Sequence, residues 1–418
     1  MIYQVNEKPK TIAEWTLYTV QMVLAVFVAT VLIANICGTP ISSCLLGACI
    51  GTLIYQLLTG FKSPMFISSC GATVSAVCGA LALNETGNNY LMVFMGGLVI
   101  VTVYAIFARL VSWKGVDFIN RFLPPSIVGA ITIVIGLNLA TFEVTYTHNS
   151  TTWEVVVAIL VMFVVAITSH YFKGFLKTIP FLFGIGFGYM MCLILKACGV
   201  DILSFESFES MHWYPDFTFL QWRASDWSWG NLGQTVLLFL PVALCAVCEH
   251  MSDHKTLGNI IGRDLTKEPG LDKTLLGDGV ASCVGTALCG LPNTSYGESI
   301  ATIGFSKVAS IWISTAAAIF IGLLSFLGPV TAFIETIPSC VFGGCALVLY
   351  GYIAASGLKT LMNNKVDLED NKTLTIVSVV LCTGVGGIFL FNASFTGVSL
   401  AMILGVILNA ILRERKIK

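Results

Sequence analysis

The sequence predicts an all-α polytopic membrane protein of 14 transmembrane segments, built as 7+7 inverted repeats with short extended pieces in broken spans 3 and 10. Three observations predict it. The composition is lipid-compatible: mean hydropathy is +0.86, 56% of residues are hydrophobic and 11% are charged, against about 25% in soluble chains. Apolar runs of spanning length recur along the chain. The basic residues alternate between the resulting loops with a strong one-sided bias.

The first seven runs fall near 14–35, 41–60, 64–83, 89–111, 124–142, 152–171 and 176–198. An aromatic interlude, 201–230, has the character of an interfacial loop. Seven more follow near 231–254, 272–289, 291–305, 306–328, 330–361, 370–391 and 394–412. With the N-terminus inside, twenty of the 22 Lys and Arg residues fall on the inner side, and only Lys196 and Arg223 fall outside. Dropping the third or tenth run would move every later basic loop to the wrong face. Both termini are therefore expected in the cytoplasm. The region Met1 to Trp15 lacks a small-residue cleavage site, so 21–36 reads as a mature span.

Seven runs on each side of an external loop give two halves of opposite topology. Span 3 opens Ser63-Pro-Met-Phe-Ile-Ser-Ser-Cys-Gly71, and span 10 opens Leu291-Pro-Asn-Thr-Ser-Tyr-Gly297. Each places a proline, several polar residues and a glycine in the same order. Proline denies the helix a donor, and irregular backbone at membrane depth is tolerated where it lines a cavity. Such a matched pair points to a midplane substrate site, where the N-terminus of a half-helix offers N–H groups to a polar ligand.

The candidate chemistry lies in acids. Glu249 and Asp253 are four apart and share a helix face, where two carboxylates in poor solvation cannot both carry charge comfortably, so one holds a proton or a cation. The alternative for Asp253, beside His254 and Lys255, is a place in the cytoplasmic interface. Glu298 falls in the first turn of the half-helix of span 10, and an acid within a span is functional by default. Asp278, in Leu-Gly-Asp-Gly, either joins this cluster or ties span 9 to its neighbours. His170, His250 and His254 read as surface or interface residues near inner helix ends; His148 and His212 fall in outer loops. Tyr350 either lines the cavity or packs as an aromatic. Asn84-Glu-Thr and Asn149-Ser-Thr match glycosylation sequons, a frequent chance pattern.

Other classes find little support. No basic domain exists and net charge is −1, so nucleic acid is not an expected partner. The fourteen cysteines show no zinc spacing, and Cys245 and Cys248 on an apolar helix read as buried thiols. No Ser/His or metal-ligand constellation marks an intramembrane hydrolase, so the chain is not expected to be an enzyme and no cofactor is implied.

Several strings together carry a resemblance: Phe122-Leu-Pro-Pro-Ser-Ile-Val-Gly-Ala130, Glu249-His250, Gly262-Arg-Asp-Leu265 with Pro269-Gly270-Leu271, Gly277-Asp278-Gly279, Pro292 through Glu298, and Leu349-Tyr-Gly-Tyr-Ile-Ala-Ala-Ser-Gly357. In order and over nearly the whole chain, the sequence resembles the nucleobase:cation symporter-2 (nucleobase-ascorbate transporter) family, and within it the uracil-transporting bacterial branch. The resemblance implies a core domain of 1–118 (spans 1–4) and 231–328 (spans 8–11). It also implies a gate domain of 119–200 (spans 5–7) and 329–418 (spans 12–14), with 201–230 linking the repeats, and a homodimer in the bilayer. Carried over position by position, it implies that Glu249 and Glu298 grip a nucleobase, with Gly71 and Gly297 offering backbone N–H groups and Ala29, Tyr296 and Tyr350 lining the site. Coupling would run through Glu249, Asp253 and Asp278, with H+ as the expected ion and Na+ the alternative. A carboxylate accepts from a ring N–H while helix-start amides donate to ring carbonyls, which suits an imide.

This chain departs from that branch at defined places. Met22 and Asp253 replace two histidines, the latter as in xanthine-type members. Gly71 replaces a stacking phenylalanine, and Glu298-Ser-Ile-Ala301 with Ser306-Lys307 replaces a signature of Glu-Asn-x-Gly with Thr-Arg. Glu298, where purine carriers usually have Gln, favours a pyrimidine; Asp253 and the space at Gly71 keep a Na+- or H+-coupled purine carrier of the xanthine/urate type as the alternative. An anion channel or exchanger on the same fold is the reading from another class, opposed by the two glutamates.

Overall fold

The computed structural model describes residues 1–84, 89–115, 124–146, 151–200, 202–209, 211–214, 227–386 and 397–412. Parts of both sequons, His148, Arg121, Arg223, much of the 201–230 loop and the C-terminal basic residues lie outside the described residues. The fold is mostly helical, with sixteen α-helices among the described residues and one two-stranded sheet. Among the described residues, seven helices are by themselves long and apolar enough to cross a bilayer.

The first half contains α1 (Ile12–Cys37), α2 (Ile41–Leu58), β1 (Ile67–Ser69), α3 (Val74–Leu81), α4 (Tyr90–Lys114), α5 (Pro125–Tyr146), α6 (Thr152–Tyr171) and α7 (Pro180–Ala197). A short α8 (Glu206–Glu209) precedes α9 (Trp229–Ile261), α10 (Leu271–Ala287), β2 (Asn293–Ser295), α11 (Gly297–Ser306), α12 (Ile311–Leu324), α13 (Gly328–Glu335), α14 (Ser339–Asn363), α15 (Asn371–Gly386) and α16 (Gly397–Ile411). The stretch 330–361, expected as one run, is two helices. Pro338 cannot donate a backbone hydrogen bond, so α13 ends before it and α14 starts at Ser339. Helices α12 and α13 meet at 80°.

Two groups of helices pack around the cavity. In one, α10 lies against α2 and α4, α9 against α3 and α4, and α12 against α1 and α2. In the other, α14 lies against α5, α6 and α7, and α15 against α5 and α16. The N-terminal segment is fastened beside the start of α12: Tyr3 bridges Val308, the Ser310 hydroxyl donates to the Glu7 carbonyl at 2.5 Å, and the Lys8 ammonium sits 4.2 Å over the Trp312 ring. Lys62 pairs with Glu268 at 2.8 Å, which holds the exposed Glu268 carboxyl below its ordinary range.

The sheet joins the halves. β1 and β2 run antiparallel, with Ile67, Ser68 and Ser69 opposite Ser295, Thr294 and Asn293. The ladder is extended by Cys70 N–H to the Pro292 carbonyl (2.8 Å) and Tyr296 N–H to the Phe66 carbonyl (3.1 Å). All six strand residues are buried, so their outer edges need partners. Thr52 of α2 supplies them for β1, its hydroxyl donating to the Ile67 carbonyl and accepting from the Ile67 N–H. For β2, Asn293 Nδ2 donates to the carbonyls of Gly47 and Ala281, and the Ser282 hydroxyl donates to the Asn293 carbonyl.

Glycine makes this approach possible. A Cβ on Gly285 would lie 2.3 Å from the Leu291 carbonyl oxygen and 2.7 Å from Asn293 Nδ2; on Gly51 it would lie 2.8 Å from Asn293 Nδ2. Gly285→Ala is expected to destabilise the fold by about 1–3 kcal/mol, because the obstructing atoms include backbone. Gly297→Ala, whose Cβ meets nothing within 4 Å, serves as the control. A fall in apparent melting temperature in detergent for the first and not the second is the expected result.

Candidate functional site: a cavity between two uncapped helix starts

Each sheet strand runs straight into a helix start. After β1, Gly71–Thr73 form a single 3-10 turn leading into α3; after β2, Tyr296 is extended and α11 begins at Gly297. Neither start has a side-chain cap. Leading N–H groups therefore remain for a ligand, in the positive end of each helix dipole.

These starts open on one cavity of about 230 Å3. Its lining brings together Gly71, Glu249, Tyr296, Gly297 and Glu298, with Ser69, Cys70, Thr294 and Ser295 from the strands and their ends. Ile33 of α1 and Cys245 of α9 complete this wall; Thr132 and Ile135 of α5 and Leu349, Tyr352, Ile353 and Ser356 of α14 form the facing one. Glu249 and Gly297 are open to the cavity, while Glu298 is half-buried. Among the described residues, the only charged side chains in the lining are the two glutamates. The small volume, below the roughly 300–1,000 Å3 of drug-sized sites, suits one compact ring with donors and acceptors on its edge.

Four expected site residues lie elsewhere. Ala29 is buried one helical turn from Ile33 and is not in the lining. Tyr350 is buried, because Leu349, Tyr352, Ile353 and Ser356 (i, i+3, i+4, i+7) form the cavity-lining stripe of α14 and residue 350 is turned out of it. Asp253 accepts from the Ser295 hydroxyl at 3.1 Å, and Asp278 accepts from the Thr294 hydroxyl at 3.1 Å. Both acids thus stand behind β2. Thr132, Tyr352 and Ser356 are lining residues that sequence reasoning missed; the spacing of 349, 353 and 356 was the available signal.

The reading of His250 and His254 as surface residues is overturned. Both are completely buried. His250 Nδ1 lies 2.9 Å from Asp278 Oδ2, and His254 is bonded to Tyr55. An i, i+4 pair one residue on from Glu249 and Asp253 faces about 100° away from them, toward α2 and α10. Among the described residues no group of three or more His, Cys, Asp or Glu has metal-binding geometry, and the fourteen cysteines are free thiols.

Apolar spanning helices around a central cavity with acidic side chains and two free helix starts define a multi-pass membrane protein with a small-molecule site. Residues 13–393 match the model of the Permease family of the xanthine/uracil type. The chain is 33% identical over 422 residues to the uracil permease of Bacillus caldolyticus, covering 99% of this chain and 95% of that one. It is 33% identical to the uracil permease of Bacillus subtilis (96% and 93% covered) and 31% identical to that of Escherichia coli (98% and 93%). The chain belongs to the Permease family. Among solved structures, the transmembrane domain of the cyanobacterial bicarbonate transporter BicA aligns with TM-score 0.64 at 13% identity, covering 97% of this chain and 99% of that one. The murine Solute Carrier 26 family member A9 anion transporter aligns with TM-score 0.69 at 11% identity, covering 97% and 69%. At such identity the likeness is one of fold alone.

Proposed function

We propose that this permease is a secondary active transporter that imports a nucleobase, uracil, together with protons. The observation that carries the reading is the meeting of Glu249, Glu298 and two uncapped helix starts on one small cavity. Uracil presents ring N–H groups to carboxylates and ring carbonyls to amides, matching both parts. Glu249, open to the cavity, carries the coupled proton; Glu298 orients the base; Asp253 and Asp278 modulate through Ser295 and Thr294. Uracil as substrate is supported by what the curated relatives are named for. Among the described residues no lysine or arginine lines the cavity, which disfavours an anion exchanger.

Around this chemistry we place fourteen spans as two inverted sevens, with both termini cytoplasmic in a bacterial inner membrane. The core comprises 1–118 and 231–328, and the gate 119–200 and 329–418, working as a homodimer by movement of core against gate. The two packing groups on either side of the cavity, the pairing of β1 with β2, and the basic bias of one side support this arrangement. Proteoliposomes holding the purified protein should accumulate labelled uracil under an inwardly directed proton gradient. Accumulation driven by Na+ alone, or none under either gradient, would sink the coupling.

The purine alternative rests on Gly71, where a Cβ would meet only Ile353 Cδ1 at 3.4 Å and Ile33 Cδ1 at 3.8 Å. Gly71→Phe is expected to project a ring into the cavity with little cost to the fold. It should weaken any binding of bicyclic bases by about tenfold or more while sparing uracil, since steric exclusion is stronger than a lost contact. A thermal-shift panel of nucleobases on both proteins checks this.

A further inference from the structure

Behind β2, away from the cavity, a second polar string runs through the interior. Tyr55 of α2, Ser63 and His254 of α9 are all 0% exposed. The Tyr55 hydroxyl is 2.6 Å from His254 Nε2 and 2.9 Å from the Ser63 hydroxyl. His254 Nδ1 lies 2.8 Å from the His250 carbonyl, an acceptor only, so this nitrogen carries a proton. With a neutral imidazole, Nε2 must then accept from Tyr55, which turns the single Tyr55 proton away from Ser63. With an imidazolium, His254 donates to Tyr55 and Tyr55 donates to the Ser63 hydroxyl, the direction its geometry has. His254 and Tyr55 thus accommodate two proton arrangements with no heavy atom displaced. Ser63 adjoins the exposed Lys62, at the side where Lys62 meets Glu268.

The string is also wired to the site. The His250 and His254 rings stack with centroids 4.0 Å apart at 30°, too close in a non-aqueous interior for both to be cations. His250 is bonded to Asp278, whose same oxygen accepts from Thr294 of the cavity lining. The titratable groups facing this pair are Tyr55 from α2, Asp278 from α10 and Tyr104 from α4, whose ring stands 6.1 Å from His250. One proton on His254 therefore balances Asp278, and its loss leaves the Asp278 charge to tighten on Thr294.

We infer that His254 and Tyr55 are positioning residues for transport: a relay exchanging one proton with the Lys62 side through Ser63, and setting through Asp278 how firmly Thr294 and β2 are held. In the release step His254 Nε2–H passes its proton to the Tyr55 oxygen, the Tyr55 proton moves to Ser63 and the Ser63 proton to water. One hydronium forms, and the imidazole and both hydroxyls are restored. The inference rests on the proton-driven reading above.

The test uses His254→Gln and Tyr55→Phe in proteoliposomes, with uracil as the probe, over about pH 5 to 8. Net proton-driven uptake should fall about tenfold in maximal rate with KM within about twofold, and its pH profile should flatten, while uracil counterflow exchange stays at the wild-type rate. Ser63→Ala, which deletes only the far hydroxyl, should lower net uptake in the same way and serves if the larger changes prevent folding. Exchange and binding falling in step with net uptake would overturn the inference in favour of packing alone. A proton-driven wild type with variants of unchanged rate and pH profile would overturn it as well. Wild-type uptake indifferent to the proton gradient would sink the coupling reading first, and this inference with it.

Discussion

Glu249→Gln is expected to abolish proton-driven accumulation of uracil. Glutamine keeps the length and one acceptor of glutamate, so the cavity shape should survive, yet it can neither hold nor release a proton. Glu249 is open to the cavity and its carboxylate accepts no hydrogen bond from another described residue, so the fold should not suffer. A hydrogen bond to a charged group contributes about 1.5–3 kcal/mol, or roughly 10–100-fold in affinity. Loss of the proton cycle comes on top of that weaker binding, and accumulation should fall to background. Uptake under a pH gradient, read beside equilibrium binding in detergent, checks both parts; unaltered uptake would remove Glu249 from the mechanism.

Replacing Glu298 should act on the substrate rather than the driving ion. The carboxylate sits in the first turn of α11, where the helix dipole favours negative charge, and opens on the same cavity. Glu298→Ala deletes an acceptor for a ring N–H and should raise the uracil dissociation constant by about 10–100-fold. Glu298→Gln keeps the shape while exchanging half of the acceptor set for donors, and should shift preference from uracil toward purines. A competition panel against labelled uracil measures the shift; wild-type affinity for uracil in both variants would place the base elsewhere.

The residues that mark the cavity were legible in the sequence because they break a rule of their surroundings. Glu249 and Glu298 are acids in apolar runs, and Ser63 to Gly71 and Leu291 to Gly297 are two polar, proline-led interruptions of like order. What the sequence left hidden is which side of a helix finds a partner. His250 and His254 look like end-of-helix residues until Tyr55, 199 positions away, is brought within 2.6 Å. Tyr350 and Ala29 fell outside the lining for a related reason: a turn of 100° per residue decides between facing a cavity and facing a neighbouring helix. The division of 330–361 at Pro338 was readable in principle, since proline lacks the donor a continuous helix needs.

The strand pairing across the middle of the molecule has a mechanical consequence. The walls carrying Gly71 and Glu298 are stitched to each other by main-chain bonds and clamped at both margins by Thr52, Ser282 and Asn293. Prising them apart would strand several amides and carbonyls in a dry interior, each at a cost of kilocalories. In the proposed transport cycle these paired walls travel as one body, and cargo is admitted and discharged by relative motion between them and the wall that carries Leu349 and Ile353.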